Sequence, residues 1–222
     1  NNYYNSSRRY AASFFKRATG FMDVVCYTGT GSPANYNHNL GVVPEMMITR
    51  ARTGSNNWFV YNADKGNNFV VYLNSDYSGG TDGGYRWNQT TPTASVFTNG
   101  TNAGSSGSGV PFVAYLFATL DGVSKVGSYT GTGADLNVDC GFTAGARYIL
   151  IKRTDSTGDW YMWDSARGIN AGNSPYLIMN TTGASVTTTD YIDPLNAGFT
   201  VTSTAPAAIN ASGGSYIFLA IA

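Results

Sequence analysis

The residues capable of nucleophilic or acid–base chemistry are few and lie far apart in the chain. His38 is the single histidine and stands between two asparagines. A Ser-His-Asp triad needs a serine held on a sharp turn beside a histidine and a buried acid. The serines of residues 106–109 alternate with glycine in a predicted loop instead. We therefore expect His38 to make ordinary hydrogen bonds at a loop or strand end.

The two cysteines do not form a recognisable redox or metal motif. Cys26 and Cys140 lie in different parts of the chain and, together with one histidine, cannot complete a closed zinc site. We expect both thiols to be free and buried, as in a chain that folds in a reducing cytoplasm.

The acidic residues are twelve aspartates and one glutamate, Glu45, and most of the aspartates stand among Gly, Ser and Thr. Turn formation explains that placement. Asp155, Asp159 and Asp164 offer oxygen ligands for calcium, but without the spacing of a regular calcium loop. A glycan hydrolase is a further alternative and requires two acids ~5 to 9.5 Å apart. We predict a protein that is not an enzyme, with no cofactor and no metal.

Composition excludes several classes of protein. The 222 residues are 14% aromatic and only 12% charged, contain 27 glycines and have no formal net charge. The longest apolar run has the length of a strand, so we expect no membrane span. A neutral chain is not typical of nucleic-acid binding, and one rich in aromatics is not typical of disorder. The polar, basic start predicts no signal peptide. An all-β protein remains.

The chain repeats itself at a spacing of about 102 residues. Tyr27-Thr28-Gly29-Thr30-Gly31 recurs as Tyr129-Thr130-Gly131-Thr132-Gly133, and Trp58 recurs as Trp160. Each copy contains about seven predicted strands separated by turn residues. The sequence therefore predicts two tandem β-sandwich domains of jelly-roll type, produced by an internal duplication and held in a fixed relation.

The predicted boundaries are an N-terminal arm over residues 1–22, a first sandwich over 23–120 and a second over 121–222. The Gly/Ser-rich stretch 99–109 is predicted as an exposed loop, and residues 10–17 as the only short helix. The arm is basic and aromatic and carries no acid. Two interpretations stay open, a solvated tail and an arm that docks on a neighbouring subunit. The candidate docking residues are Arg8, Arg9, Tyr10, Phe14, Phe15, Lys16 and Arg17.

Aromatic side chains are the remaining candidates for binding. Period-two alternation places Trp160 and Met162 on one face of a strand and Tyr161 and Trp163 on the other. One face should fill the sandwich core, and the other should face a partner subunit or a sugar. Tyr77, Tyr85 and Trp87 lie in a predicted loop region and are the better candidates for glycan or receptor contact.

Several segments together carry a resemblance to a known family. The chain resembles an uncharacterised family of duplicated β-domains in virion structural proteins of tailed phages, notably marine ones, from about residue 13 to the end. Residues 52–58 depart from the family pattern, being shorter and less acidic than the second copy. The matching segments are Phe15-Lys16-Arg17-Ala18, Gly20-Phe21-Met22-Asp23-Val24-Val25, Tyr27-Thr28-Gly29-Thr30-Gly31, residues 38–48, residues 151–160 and residues 210–217.

The resemblance implies a non-catalytic protein on the virion exterior, in a tail fibre, a tail-associated part or a head decoration. It would mediate assembly with itself, as a symmetric homo-oligomer with a trimer favoured, and with other virion proteins. Attachment to a host-surface glycan is also implied. The alternative is a carbohydrate-binding β-sandwich module of a glycan-active or cell-surface protein.

Overall fold

The computed structural model describes residues 14–222 and consists mainly of antiparallel strands. The strands of the first half are β1 Met22–Thr28, β2 Ala34–Asn37, β3 Met46–Ala51, β4 Phe59–Asn62, β5 Phe69–Tyr72, β6 Gly80–Thr81, β7 Val96–Asn99 and β8 Pro111–Phe117. Those of the second half are β9 Ser124–Thr130, β10 Leu136–Asp139, β11 Tyr148–Arg153, β12 Trp160–Asp164, β13 Leu177–Ile178, β14 Ile192–Leu195, β15 Gly198–Val201 and β16 Ser215–Ile221.

Two four-residue helices complete the described part of the chain, α1 Ala103–Ser106 and α2 Ala207–Asn210, together with a 3-10 turn at Ala63–Lys65. Within residues 14–222, neither helix has the length and apolar character needed to cross a membrane.

Each half pairs its strands in nearly the same order. The large sheets are β1-β8-β3-β4-β5-β6 in the first half and β9-β16-β11-β12-β13 in the second. The small sheets are β2-β7 and β10-β15-β14. The all-β sandwich prediction is therefore confirmed, with eight described strands in each half instead of about seven. The origin of this correspondence in a gene duplication stays a prediction, as do the domain boundaries.

Three apolar layers hold the four sheets together. One lies within the first sandwich around Phe97 and Phe112, and another lies within the second around Phe199 and Phe218. The third joins the two large sheets to each other, and its members come from both halves. They are Phe21, Met22, Met46, Ile48, Val60, Val71, Phe117, Val126, Leu150, Trp160, Met162, Ile217, Leu219 and Ile221. The halves thus stack face to face.

The alternation predicted for β12 is confirmed, but both faces are buried. Trp160 and Met162 enter the layer between the halves, whereas Tyr161 and Trp163 enter the core of the second sandwich. The expectation that one face would serve a partner subunit or a sugar is wrong here, because the first half of the same chain covers it.

The repeated Thr-Gly-Thr-Gly segment has a packing reason in both halves. A Cβ atom on Gly29 would lie 2.3 Å from the carbonyl oxygen of Gly107, and one on Gly131 would lie 2.4 Å from that of Ala211. The last glycine of each motif, Gly31 or Gly133, has a positive φ near 70°, which favours glycine. In each half, the motif therefore allows the chain that follows the first strand to pack closely against the segment that follows a short helix.

Three local predictions were wrong. Residues 14–17 are not helical, and residues 10–13 lie outside the described part. The stretch 99–109 is not an exposed loop, because Asn99, Ser105 and Ser106 are fully buried around α1. Small side chains allow this close packing. Strand β14 was missed because it contains Pro194, which is tolerated here on the edge of its sheet.

A buried lysine ties the second half to the first. Lys152 is fully buried, and its Nζ donates hydrogen bonds to the carbonyls of Asp76, at 2.9 Å, and of Gly158. Beside it, Trp160 Nε1 donates to the Tyr72 carbonyl at 2.8 Å. Burial lowers the pKa of Lys152 to about 8, against the opposing charges of Asp76 and Asp159.

This pKa predicts a pH dependence of stability. Between pH 8 and the ordinary lysine pKa of 10.5, the unfolded chain holds a proton that the folded chain has released. Lys152 should therefore contribute a rise in the free energy of unfolding of up to about 1.4 kcal/mol per pH unit, opposed over the same range by Cys140, whose thiol pKa burial raises. In Lys152→Met this contribution should disappear, whereas Lys16→Met, at an exposed lysine, should keep it. Urea unfolding at pH 8, 9 and 10 measures the three slopes, and equal slopes for all three proteins would contradict the assignment.

Candidate functional site

Trp87, predicted as a glycan contact, is instead part of the first core. Its side chain is 0% exposed, its Nε1 donates to the Phe69 carbonyl at 3.1 Å, and its ring lies 5.8 Å from that of Tyr61. The prediction for Trp87 is wrong because the chain after β6 folds its indole back into the sandwich.

Tyr77 and Tyr85 remain on the surface. Their exposed fractions are 42% and 62%, and the ring of Tyr77 lies 5.6 Å from that of Tyr72. Their part in glycan or receptor contact stays a prediction.

Only part of the predicted arm lies among the residues that the structure describes. Arg8, Arg9 and Tyr10 lie outside the described residues. Phe14 is 92% exposed and Lys16 is exposed.

Phe15 and Arg17 contact their own chain. The Phe15 ring lies edge-on to Phe117 of the first half and Tyr148 of the second, at 6.2 and 5.3 Å between centroids. Arg17 forms an ion pair with the buried Asp23 at 2.5 Å. These two residues therefore anchor the start of the described chain on its own body.

The candidate calcium ligands have structural partners. Asp155 forms an ion pair with Arg153, Asp164 forms one with Arg167, and Asp159 accepts a hydrogen bond from the Asn180 side chain at 2.7 Å. Within residues 14–222, no three His, Cys, Asp or Glu side chains are grouped so that they could hold a metal ion.

His38 makes the ordinary hydrogen bonds that the sequence predicts. Its Nε2 lies 3.1 Å from the Thr93 carbonyl, its Nδ1 accepts from the Leu40 N–H, and burial lowers its pKa. Both cysteines are free, as predicted. Cys140 is buried and its thiol pKa is raised to about 12 by that burial, but Cys26 is exposed, so its predicted burial is wrong.

The feature that stands out is the edge of strand β9. The Gly131 N–H donates to the Gly214 carbonyl, and the Ala222 N–H donates to the Val123 carbonyl. The odd-numbered residues of β9 therefore form the main-chain hydrogen bonds with β16. Even-numbered residues then turn their main-chain groups outward. The main-chain N–H and C=O groups of Val126 both form hydrogen bonds with the Thr119 hydroxyl. Those of Ser128 and Thr130 have no hydrogen-bond partner in the described part of the chain.

Strand β10 presents a second such edge. Among the strands of residues 14–222 it pairs only with β15. The Cys140 N–H donates to the Ala197 carbonyl, which sets an alternation in which the main-chain groups of Asn137 and Asp139 turn outward. A groove of about 470 Å³ is lined by both strands. We call it the edge groove, defined by Glu45, Asp64, residues 125–130, residues 136–139 and Phe218. A smaller hollow of about 350 Å³ shares Asp64 and residues 128–130 and continues it toward Tyr216.

The corresponding edges of the first half are joined by side chains. The Asp23 carboxylate accepts from the Asn39 N–H at 2.7 Å, and the Tyr36 hydroxyl donates to the Thr28 carbonyl at 3.3 Å, which bridges β1 to the region of β2. Hydrogen bonds from the main chain and Arg17 lower the Asp23 pKa despite its burial. At a spacing of 102 residues, the second half has Lys125 and Val138 in place of Asp23 and Tyr36. Neither can form the same bridge, so β9 and β10 are not joined by side chains. Cys26, at the position that matches Ser128, also has no main-chain partner among residues 14–222.

The edge groove is acidic and has an aromatic floor. Glu45, Asp64 and Asp139 supply three carboxylates against the single ammonium group of Lys125. Tyr129, which is half-buried, and the buried Phe218 line its floor. This combination suits an extended polypeptide segment with basic and aromatic side chains. Sequence reasoning missed the site, and the only signal was the pair of replacements at Lys125 and Val138.

The chain matches the family described as "Domain of unknown function (DUF7483)" over residues 12–222. Comparisons with curated proteins and with solved structures gave no match.

Proposed function

The chain belongs to the DUF7483 family, and we propose that it is a non-catalytic structural protein on the exterior of a phage particle. In this proposal it is part of a tail fibre, a tail-associated structure or a head decoration, assembles with itself and other virion proteins, and attaches to the host surface. The particle assignment rests on the resemblance described in the sequence analysis.

The observation that carries the assembly function is the open edge groove. An uncovered strand edge is a template for pairing with another chain, and proteins normally cover or blunt such edges. Asp23 and Tyr36 bridge the edge of β1 to the region of β2. Within residues 14–222, no such bridge joins β9 to β10, and Ser128 and Thr130 have no main-chain partner. A contact between subunits at β9 would cover these groups. Symmetric copies would each bring the same groove to the interface, with a trimer as the favoured state.

We expect purified protein to form a closed oligomer by light scattering, with a trimer as the favoured mass. Proline at position 128 removes an N–H that the described chain does not use but that pairing needs. Ser128→Pro should therefore raise the dissociation constant of the oligomer about tenfold or more. Cys26→Pro, at the matching position of β1, should leave assembly unchanged.

Circular dichroism of both variants checks that each still folds. A wild-type protein that stays monomeric at high concentration would contradict the assembly proposal. An equal effect of the two prolines would show that β9 has no special role.

The location on a particle requires a separate test. Antibodies raised against the purified chain should label the outside of intact phage particles that encode it, as seen by immunogold electron microscopy. Particles without label, in a preparation whose lysate contains the chain, would contradict an exterior location.

A carbohydrate-binding module is the alternative, and the exposed Tyr77 and Tyr85 favour it. Aromatic faces stack on sugar rings, and both residues lie in connections between strands of the first sandwich. The buried Trp87 cannot take part without unfolding the core.

The alternative predicts glycan binding that depends on Tyr85. On a glycan array the wild-type protein should give specific signals that Tyr85→Ala weakens about two- to twelvefold, since one stacked ring contributes about 0.5 to 1.5 kcal/mol. Val123→Ala, at another exposed apolar side chain, serves as the control. An array without a signal for the wild-type protein would contradict the alternative.

A further inference from the structure

We propose that the edge groove receives the basic N-terminal segment, residues 1–13, of a second copy of the chain. This inference rests on the proposed assembly function and names the contact through which copies recognise each other. It is argued from the main-chain groups, the charge and the aromatic surface of the groove.

The main-chain groups of the groove favour an extended segment. Ser128 and Thr130 on one side and Asn137 and Asp139 on the other turn their N–H and C=O groups toward open space. A strand added to such an edge satisfies these groups by main-chain hydrogen bonds, which supply most of the affinity in this kind of recognition. A segment lying between β9 and β10 would join the two sheets of the second sandwich.

The charge of the groove selects a basic segment. Glu45, Asp64 and Asp139 face the groove with one lysine, and the Asp64 side chain is exposed. Residues 1–13 contain Arg8 and Arg9 and no acid. Opposite charges on two surfaces guide their encounter and fix the register in which they meet.

The aromatic residues of the segment match the groove floor. Residues 1–13 contain Tyr3, Tyr4 and Tyr10, and the floor contains the half-buried Tyr129, whose ring lies 6.3 Å from that of the buried Phe218. Edge-on and offset ring pairs add specificity to the main-chain pairing.

The exposure at the start of the described chain favours a second copy, and not the same chain, as the source of the segment in the groove. Phe15 is held between Phe117 and Tyr148, but Phe14, one residue earlier, is 92% exposed. The described chain therefore contacts its own body from Phe15 onward, while Phe14 is free to contact another copy. An exposed Phe14 would also be covered in an assembled particle.

Charge reversal tests the pairing. By analytical ultracentrifugation, Asp64→Lys/Asp139→Lys and Arg8→Glu/Arg9→Glu should each raise the dissociation constant of the oligomer about tenfold or more. A chain carrying all four changes should recover most of the affinity. Asp121→Lys, at an exposed acid outside the groove, should have little effect.

Cross-linking tests the position and whether two copies take part. In a background with Cys26→Ser and Cys140→Ala, one tagged chain carries Tyr10→Cys and a second carries Ser128→Cys. Mixing and mild oxidation should give a disulfide between the two different chains, seen as a heterodimer on a non-reducing gel. As a control, the second chain keeps the native Cys26 and the native Ser128. With this chain the disulfide-linked heterodimer should not form.

The outcomes separate the two proposals. An oligomer that resists charge reversal and gives no cross-link at position 128 would overturn the groove as the receptor and leave assembly intact. A cross-link that forms only when both cysteines are on one chain would overturn the exchange between copies. A monomeric wild-type protein would overturn the proposed assembly as well.

Discussion

The apolar layer between the two large sheets is the contact on which the rest of the structure depends. It joins Met46 and Phe117 of the first half to Leu150 and Trp160 of the second, so each large sheet is buried on both faces. Such a sheet needs apolar residues at successive positions along its strands, as in β16, where six of seven residues are buried. The low content of charged residues follows from this arrangement.

Stacking two similar sandwiches leaves their edges as the places where they can differ. The contact between the halves uses the faces of the large sheets, which both halves must keep apolar. The edges of β1 and β9 are under no such constraint. In the first half, Asp23 and Tyr36 bridge β1 to the region of β2, and within residues 14–222 no corresponding bridge joins β9 to β10. A difference of two side chains therefore removes the bridge between the two edges.

The buried Lys152 shows how a polar side chain between the two halves can specify their alignment. Its counterpart at a spacing of 102 residues is Arg50, which lies over the Trp58 ring at 4.8 Å. Lys152 instead reaches main-chain carbonyls of both halves, including that of Asp76. Hydrogen bonds to fixed carbonyls have a stricter geometry than apolar contacts, so this lysine specifies how the halves are aligned.

The sequence by itself determined most of the strands, the turns between them and the similarity of the halves. Local patterns encode these features, such as the alternation at β12 and the glycines after β1 and β9. The face-to-face stacking, the burial of Trp87 and the open edge groove depended on the tertiary structure. Alternation shows that two side chains point in opposite directions, but only the folded chain shows what covers each face. An unpaired main-chain group has no signature in residue type, because every residue except proline carries the same N–H and C=O.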